Sequence, residues 1–279
     1  MNYEETMTYA SNYFRENNIP INWMQYDSWF YEKGRGSGVK YWYPRSNPDY
    51  FPSGPHAAYK AHGRQLQCHN RWWAPDNVYA KQNGGDYDFI IEDNDFDIIG
   101  KGVYALPDDD RFWMDFFDDV KTWGVESYLQ DWMMDTYLFM NATQESVSVA
   151  RNWLVNMGQA ADAHDINIQY CLTLTRCGLT ALEIPRVTMA RASADYSYNF
   201  AQWTIGLTGM ITDVLGMAPH KGKGCINRMY NCFGKFFNKN SSCTSEIINL
   251  IVFSIPIKYL VFKSLQLVSM KSEIFRPFQ

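Results

Sequence analysis

The segment between Pro107 and Asp131 constrains the fold of this chain more than any other part of the sequence. Acidic residues follow Pro107, and negative charge suits the first turn of a helix because the N-terminal peptide groups are partially positive. Apolar side chains then recur at helical spacing as far as Trp123, and Gly124 ends the helix. The run that starts at Val125 alternates as a strand does and ends in the carboxylate of Asp131. A helix, a glycine and a strand with a polar end are the parts from which an α/β barrel is built.

Asp131, which lies between Gln130 and Trp132, has two interpretations. An aspartate after a strand commonly caps the next helix or turn. In α/β barrels, however, the carboxyl ends of the strands carry the catalytic groups. The choice depends on whether other strands of the chain end in similar side chains.

Five further segments have the apolar or alternating pattern of strands. They span residues 21–27, 65–69, 87–92, 166–174 and 186–195. Long connections and helical patterns separate them, the helices over residues 2–18, 143–164 and 200–215. Strands that alternate with helices predict a parallel sheet, and no glycine-rich dinucleotide fingerprint favours an open, doubly wound one. The chain is therefore predicted to be an α/β protein of the (β/α)8 TIM-barrel type.

Charge divides the chain into two unequal parts. Lys plus Arg number 16 and Asp plus Glu 28 over residues 1–216, against nine and two over residues 217–279. Six strands are predicted before Gly216, whereas a TIM barrel has eight. We expect residues 1–216 to form an incomplete barrel of about six β/α units. Residues 217–279 are predicted to be an unrelated basic tail that contains cysteines.

Several classes of function find no support in the sequence. A net charge of −5 argues against nucleic-acid binding. The apolar run over residues 247–270 is interrupted by Pro256, Lys258 and Lys263, so it is a poor membrane span. No C-x-x-C pair is present, and the acidic run from Asp93 lacks the glycine of an EF-hand loop. We therefore predict no metal, no cofactor, no nucleic-acid partner and no membrane span.

Aromatic residues make up 16% of the chain. Flat rings stack on sugars, but they also fill protein cores. Trp72 and Trp73 follow the strand over residues 65–69, where they form either a sugar platform or part of the core. Trp29 follows Asp27 at the end of the first strand, so a carboxylate and a tryptophan meet at a second strand end.

Asp131 and Asp195 end the predicted fourth and sixth strands. In a closed barrel, these strand ends face the same central pocket. Hydrolysis of a glycosidic bond needs two carboxyl groups arranged in this way, one to attack the anomeric carbon and one to protonate the leaving oxygen. Arg191, four residues before Asp195, is expected to hold substrate hydroxyls.

Three short motifs resemble those of the α-galactosidase and raffinose-synthase superfamily of glycoside hydrolases, which are melibiase-like TIM barrels. Gln25-Tyr-Asp27-Ser-Trp29 is similar to the motif at the end of their first strand. Tyr128-Leu-Gln-Asp131 is similar to their fourth-strand motif, and Arg191-Ala-Ser-Ala-Asp195 to their sixth-strand motif. The resemblance covers residues 19–215.

The resemblance implies that Asp131 is the nucleophile and that Asp195 is the general acid and then the general base. The implied reaction is retaining hydrolysis, or transfer, of a terminal α-linked sugar from an oligosaccharide or glycoconjugate. It also implies an extracellular or lysosomal location, although no signal peptide follows Met1. From the resemblance and from the aromatic and polar strand ends together, the predicted sugar contacts are Asp27, Trp29, Trp72, Trp73, Gln130 and Arg191.

Two positions depart from the family pattern. Leu129 stands where the family has a lysine, and Tyr26 stands where it has the first of two acidic residues. Those groups bind ring hydroxyls, so the sequence does not predict galactose as the sugar. A second hypothesis is therefore a catalytically inactive, carbohydrate-binding relative of the same fold, and a third is a membrane-tethered protein anchored by residues 247–270.

Overall fold

The computed structural model describes residues 1–44, 50–93, 103–192 and 202–220. The strands, in chain order, are Trp23–Tyr26 (β1), Glu32–Lys33 (β2), Val39–Tyr41 (β3), Gln65–Asn70 (β4), Phe89–Asp93 (β5), Val103–Pro107 (β6), Val125–Gln130 (β7), Asn167–Tyr170 (β8), Val187–Arg191 (β9) and Ala218–His220 (β10). The α-helices are Tyr3–Glu16 (α1), Gly54–His62 (α2), Asp110–Thr122 (α3), Met133–Phe139 (α4), Asn141–Glu145 (α5), Val149–Ala163 (α6), Thr175–Thr180 (α7) and Gln202–Val214 (α8). In this part of the chain, no helix is both long enough and apolar enough to cross a bilayer.

Six strands form one parallel sheet in the order β1, β4, β7, β8, β9 and β10. Their order across the sheet follows their order in the chain, as in the wall of a barrel. Helices α3, α6 and α8 precede β7, β8 and β10, respectively. The predicted α/β fold with an incomplete, barrel-like parallel sheet is thus confirmed for the described residues.

The predicted third barrel strand is wrong. The segment over residues 87–92 does form a strand, β5, but β5 pairs antiparallel with β6 in a separate two-stranded sheet. A hydrophobic pattern reports that a segment is extended and does not report its partner. As a result, Asp131 follows the third strand of the main sheet instead of the fourth, and Arg191 ends the fifth.

The boundary predicted at Gly216 falls inside the sheet. Strand β10 lies beyond it and pairs with β9, so that His220 is opposite Arg191. A strand of three residues carries too little periodicity to be recognised in the sequence. The rest of the predicted tail, residues 221–279, lies outside the described residues.

Two other segments differ from their predictions. One of the long connections that the sequence predicts, over residues 31–63, contains the β2–β3 pair and helix α2. The predicted helix over residues 143–164 is divided, because α5 ends at Glu145 and α6 begins at Val149. Ser146 between them has an extended backbone, with φ of −118° and ψ of 130°.

Helix α3 fixes the position of β7 through an aromatic layer. The helix begins where the Asp109 side chain accepts a hydrogen bond from the backbone N–H of Arg111, at 3.1 Å. Its buried side chains are Phe112, Trp113, Phe116, Phe117 and Val120. The Phe116 ring centroid lies 5.9 Å from that of Tyr128 on β7. Each large side chain removed from water in this way stabilises the fold by roughly 1.5–3 kcal/mol.

Gly124 links α3 to β7 at a place where a side chain would not fit. Its φ is +89°, in the left-handed region, and a Cβ atom would lie 2.4 Å from the ring of Tyr59 on α2. Gly84 has the same φ of +89°, but a Cβ atom there would meet nothing within 4 Å. The two glycines therefore separate the conformational cost of a side chain from its packing cost.

We expect Gly124→Ala to destabilise the protein more than Gly84→Ala. The Gly84 variant bears only the backbone cost of a left-handed alanine, about 1–2 kcal/mol. The Gly124 variant adds a steric cost of about 1–3 kcal/mol because the Tyr59 ring must move. Urea unfolding of both variants measures the difference, and equal free energies of unfolding would contradict the close approach of α2 to Gly124.

Candidate functional site

The carboxyl ends of the six parallel strands meet at one edge of the sheet. Asn70 lies opposite Gln130, Gln130 opposite Tyr170, and Tyr170 opposite Ala190. The next residue of each strand end therefore lies at a common level, and these residues are Arg71, Asp131, Cys171 and Arg191. Since side chains alternate between the two faces of a sheet, the odd-numbered residues of these strand ends share one face.

Asp131 is buried, with 9% of its surface exposed. Its backbone N–H donates to the carbonyl of Asn70 at 2.7 Å, and its Oδ2 lies 3.1 Å from Nε2 of His69. Its Oδ1 has no hydrogen-bond partner in the described part of the chain. Asp131 does not cap helix α4, because neither oxygen accepts from a helical N–H there. His69 thus holds the carboxylate through Oδ2, and Oδ1 is buried without a hydrogen-bond partner among the described residues.

His69, at the end of β4, is held in turn by Tyr31. The Tyr31 hydroxyl lies 3.0 Å from Nδ1 of His69, and both side chains are buried. Burial is the main reason that the pKa of Tyr31 is raised, so the hydroxyl stays protonated and can donate to Nδ1. Nε2 then carries the hydrogen that an ionised Asp131 accepts. Neither His69 nor Tyr31 was predicted from the sequence as a site residue.

Asp27 follows β1 at the same edge of the sheet. Its Oδ1 accepts from the backbone N–H of Ser28 at 2.6 Å, and its Oδ2 accepts from Nε2 of Gln25 at 3.2 Å. The charges of Asp27 and Asp131 both raise the pKa of Tyr31, although burial is the larger cause. Two of the predicted carboxylates are thus close enough to the same tyrosine to affect its ionisation.

Arg191 contacts the site from β9. Its Nη1 lies 3.4 Å from Sγ of Cys171. Burial raises the pKa of Cys171, and the nearby Asp131 carboxylate raises it further, so the thiol is neutral. Burial and the charge of Arg191 lower the pKa of His220 to about 4, so its ring is neutral at higher pH.

A layer of polar side chains lies beneath these groups on the same face of the sheet. Nε2 of Gln67 donates to Oγ of Ser127 and to Oε1 of Gln169, each at 3.0 Å. Nε2 of Gln169 lies 3.2 Å from Nδ1 of His220. The layer links β4, β7, β8 and β10 through side chains as well as through the backbone.

Two of the predicted sugar contacts are buried in the fold. Trp73 is only 2% exposed and packs edge-on against Phe112, with ring centroids 5.3 Å apart. Gln130 is buried on the face of the sheet opposite to Asp131. It accepts from Tyr128 at 3.0 Å and from Asn70 at 3.2 Å, and its Nε2 donates to two carbonyls. In this structure Trp73 fills the core and Gln130 connects strand ends, so neither is available to a ligand.

The other two tryptophans are half-buried. The Trp29 ring stacks on Tyr3 at 4.3 Å with an interplanar angle of 6°, so one of its faces is covered. The Trp72 ring meets that of Trp132, the residue after Asp131, with centroids 5.3 Å apart and an interplanar angle of 85°. Of the tandem pair, Trp72 is therefore the one that borders the site.

Asp195, the predicted partner of Asp131, lies outside the described residues. The distance between the two carboxyl groups thus stays a prediction. Among the residues that are described, no group of three or more His, Cys, Asp or Glu side chains is arranged to hold a metal ion.

We expect Tyr31→Phe to lower the free energy of unfolding and to change the tautomer of His69. The loss of the hydroxyl leaves Nδ1 of His69 buried without a donor, which costs about 1–3 kcal/mol. Urea unfolding measures this cost, and ¹⁵N-detected NMR of the imidazole reports whether the Nε2–H tautomer is retained. Tyr9→Phe is the control, because the Tyr9 side chain is largely exposed on α1. An unchanged tautomer and an unchanged free energy of unfolding in Tyr31→Phe would show that the bond has no such role.

No protein-family model matches the chain, and neither does any curated protein. A solved xylosidase from Aspergillus niger is similar to it at a TM-score of 0.50 and 13% identity, over 77% of this chain and 35% of that one. An α-galactosidase from Thermus thermophilus gives a TM-score of 0.49 and 13% identity, over 95% of this chain and 57% of that one. An α-N-acetylgalactosaminidase from Bifidobacterium bifidum gives 0.43 and 10%, over 68% and 32%.

The chain thus spans between about a third and somewhat more than half of the length of these solved structures. At such identities a comparison establishes the fold and not the activity. The similarity to the xylosidase agrees with the six-stranded parallel sheet described above. Over the part that they share, this chain has the α/β barrel-type fold of that glycosidase.

Proposed function

We propose that this chain is a retaining glycoside hydrolase, or a transglycosidase, that acts on a terminal α-linked sugar. The observation that carries the proposal is the state of Asp131. It is a buried carboxylate at the carboxyl end of a barrel strand, with one oxygen held by His69 and the other without a hydrogen-bond partner in the described part of the chain. A nucleophilic carboxylate needs one oxygen that the protein itself does not engage.

The proposed reaction has two steps. Oδ1 of Asp131 attacks the anomeric carbon while the carboxylic acid of Asp195 gives its proton to the leaving oxygen, and a glycosyl ester forms on Asp131. Asp195, now ionised, takes a proton from a water molecule or an acceptor alcohol, which attacks the same carbon and releases Asp131. Two displacements on one carbon retain the anomeric configuration.

His69 and Tyr31 are proposed to position the nucleophile. A carboxylate that could rotate freely would present its attacking oxygen in many orientations, and correct orientation accounts for much of enzymatic rate acceleration. The Tyr31–His69 pair restrains one oxygen and leaves the other free to attack. Asp27 and Arg191, at neighbouring strand ends, are proposed to contact the sugar.

The fold comparison supports a glycosidase and leaves the sugar open. The similar structures are a xylosidase, an α-galactosidase solved with p-nitrophenyl α-galactoside and an α-N-acetylgalactosaminidase. Leu129 lies two residues before Asp131, where the resembling family has a lysine. We therefore propose to test α-xylosides, α-galactosides and α-N-acetylgalactosaminides without preference.

The competing function is a carbohydrate-binding protein of the same fold that has lost turnover. The same substitution at Leu129 favours this alternative, because an apolar side chain cannot replace a lysine that binds ring hydroxyls. A binder would hold the sugars of the panel and release no nitrophenol. Measured hydrolysis therefore separates the two functions.

Asp131→Asn is expected to abolish hydrolysis of the p-nitrophenyl α-glycoside that the native chain cleaves best. The fall in kcat should be roughly 10⁴- to 10⁶-fold, as when other enzymes lose part of their covalent machinery. Asp110→Asn, an exposed position in the first turn of α3, is the matched control and should retain native activity.

A fluorinated glycosyl fluoride that accumulates the covalent intermediate tests the mechanism separately. Intact-protein mass spectrometry should show one glycosyl group on the native chain, peptide mapping should locate it on Asp131, and Asp131→Asn should remain unlabelled. Release of the opposite anomer, or a label on another residue, would contradict the proposed nucleophile.

A further inference from the structure

Arg71 is a half-buried arginine whose charged group has no bonding partner in the described part of the chain. Its guanidinium makes no hydrogen bond or ion pair there, and its Nε is buried. A guanidinium carries five N–H donors, and a buried donor without a partner costs about 1–3 kcal/mol. An arginine kept in this state is suited to a ligand that is not part of the chain.

Arg71 is nevertheless held in place, both at its backbone and at its side chain. The Arg71 carbonyl accepts from Nδ2 of Asn70 at 2.5 Å and from Nε2 of Gln130 at 3.1 Å. Its Cζ lies 4.0 Å from the ring centroid of Trp72 and 5.3 Å from that of Trp132. These contacts use the faces of the two indoles. The guanidinium is thus restrained while its N–H donors stay available.

Trp132 adopts an uncommon backbone conformation at this place. Its φ is +90° and its ψ is 34°, in the left-handed region that bulky residues rarely occupy. Such a residue costs of the order of 1–3 kcal/mol and persists only where its surroundings compensate. Here the turn directs the indole towards Arg71 and Trp72, directly after Asp131.

Asp135 supplies the complementary group. It lies in the first turn of α4, and its Oδ2 is buried without a hydrogen-bond partner among the described residues. Burial and the charge of Asp131 raise its pKa, whereas the charge of Arg71 opposes them. Geometry brings Asp135 to the same place, because it lies in the first turn of α4, three residues after Trp132, whose ring Arg71 contacts at 5.3 Å. Asp135 and Arg71 do not form an ion pair.

The available groups select an uncharged ligand. Arg71 can only donate and an ionised Asp135 can only accept, whereas a hydroxyl group does both. An anionic ligand would gain from Arg71, but it would approach both carboxylates. Each of these like charges repels an anion, and repulsion is stronger at a partly buried site than in water. With Asp27 and Arg191, which lie at the same edge of the sheet, three carboxylates face two guanidinium groups among the residues described there, so an anion meets a net negative charge.

We infer that Arg71 and Asp135 form a hydroxyl-binding subsite beside Asp131 and that this subsite takes neighbouring hydroxyl groups of an uncharged sugar. The inference rests on the proposed function and extends it, because it names the class of substrate and two specificity-determining residues. Trp72 and Trp132 position Arg71 in this subsite. Leu129 stands where the resembling family has a lysine. In this chain, Arg71 would supply the positive charge for the sugar instead.

Binding of unreactive monosaccharides tests the subsite without any turnover. The full chain is titrated calorimetrically with xylose, galactose and N-acetylgalactosamine, and the tightest of them is used with the variants. Arg71→Lys keeps the charge but loses the planar fork, and Asp135→Asn keeps one acceptor oxygen. Each should raise the Kd about 10- to 100-fold, the loss expected for one hydrogen bond to a charged group.

Arg151→Lys is the matched control, because Arg151 lies on the exposed surface of α6 and pairs with Glu183. Its Kd should equal that of the native chain. Circular dichroism and thermal unfolding establish that each variant is folded before it is titrated.

Deoxy sugars identify the contact itself. A deoxy analogue that lacks the bound hydroxyl should bind the native chain and Arg71→Lys with the same Kd. Once the hydroxyl is gone, the contact no longer exists, so replacing Arg71 has no further effect on binding. The corresponding uronic acid should bind the native chain more weakly than the parent sugar. If it bound more tightly and Arg71→Lys abolished the gain, the subsite would be an anion site and the assignment would be wrong.

The outcomes separate this inference from the proposed reaction. Sugar binding that is unaffected by Arg71→Lys and Asp135→Asn overturns the subsite, even if Asp131 is labelled by the fluorinated substrate. Binding that depends on both residues supports the subsite, even if the native chain hydrolyses nothing. A native chain that binds none of the three sugars overturns the subsite as well.

Discussion

The organisation of the candidate site depends on the buried hydrogen bonds from Tyr31 to His69 and from His69 to Asp131. They join the connection after β1 to the ends of β4 and β7, three places that are distant in sequence. All three side chains are buried. Leaving one of these buried polar groups without its hydrogen bond would therefore destabilise the fold by more than the formed bond stabilises it. Tyr31 helps to determine which oxygen of Asp131 the protein engages, because it orients His69.

Much of the fold is readable from local patterns, because amphipathic helices and alternating strands record which of their faces are buried. Helix α3 and strand β7 were predicted as a unit, and Gly124 between them was recognised as the end of the helix. These local patterns carry much less information about which strands pair with each other. Strand β5 has the same extended pattern as a barrel strand, yet its partner is β6, which ends at Pro107 and was not predicted as a strand.

The site was only partly readable from the sequence. Asp131 was recognised because a carboxylate at a strand end is chemically specific, whereas His69 was overlooked as one polar residue in a strand. The alternation of Gln67 and His69 on β4 was the available signal, since it indicates a polar face. Trp73 was predicted as a sugar contact together with Trp72, although neighbouring residues in an extended segment point in opposite directions, so a tandem pair of tryptophans cannot form one platform. Arg71 was not predicted. Of the two tryptophans, Trp72 is the one whose ring Arg71 contacts, at 4.0 Å.

The left-handed turn at Trp132 brings two requirements into conflict. Glycine or asparagine would adopt this backbone at little or no cost, but neither has an aromatic face on which a guanidinium can rest. A residue with such a face must accept the unfavourable torsion angles. Selection for stability alone would favour glycine or asparagine at position 132, and Arg71 would then lose one of the two rings on which it rests. Few residues can both adopt the left-handed backbone and present an aromatic face to the guanidinium.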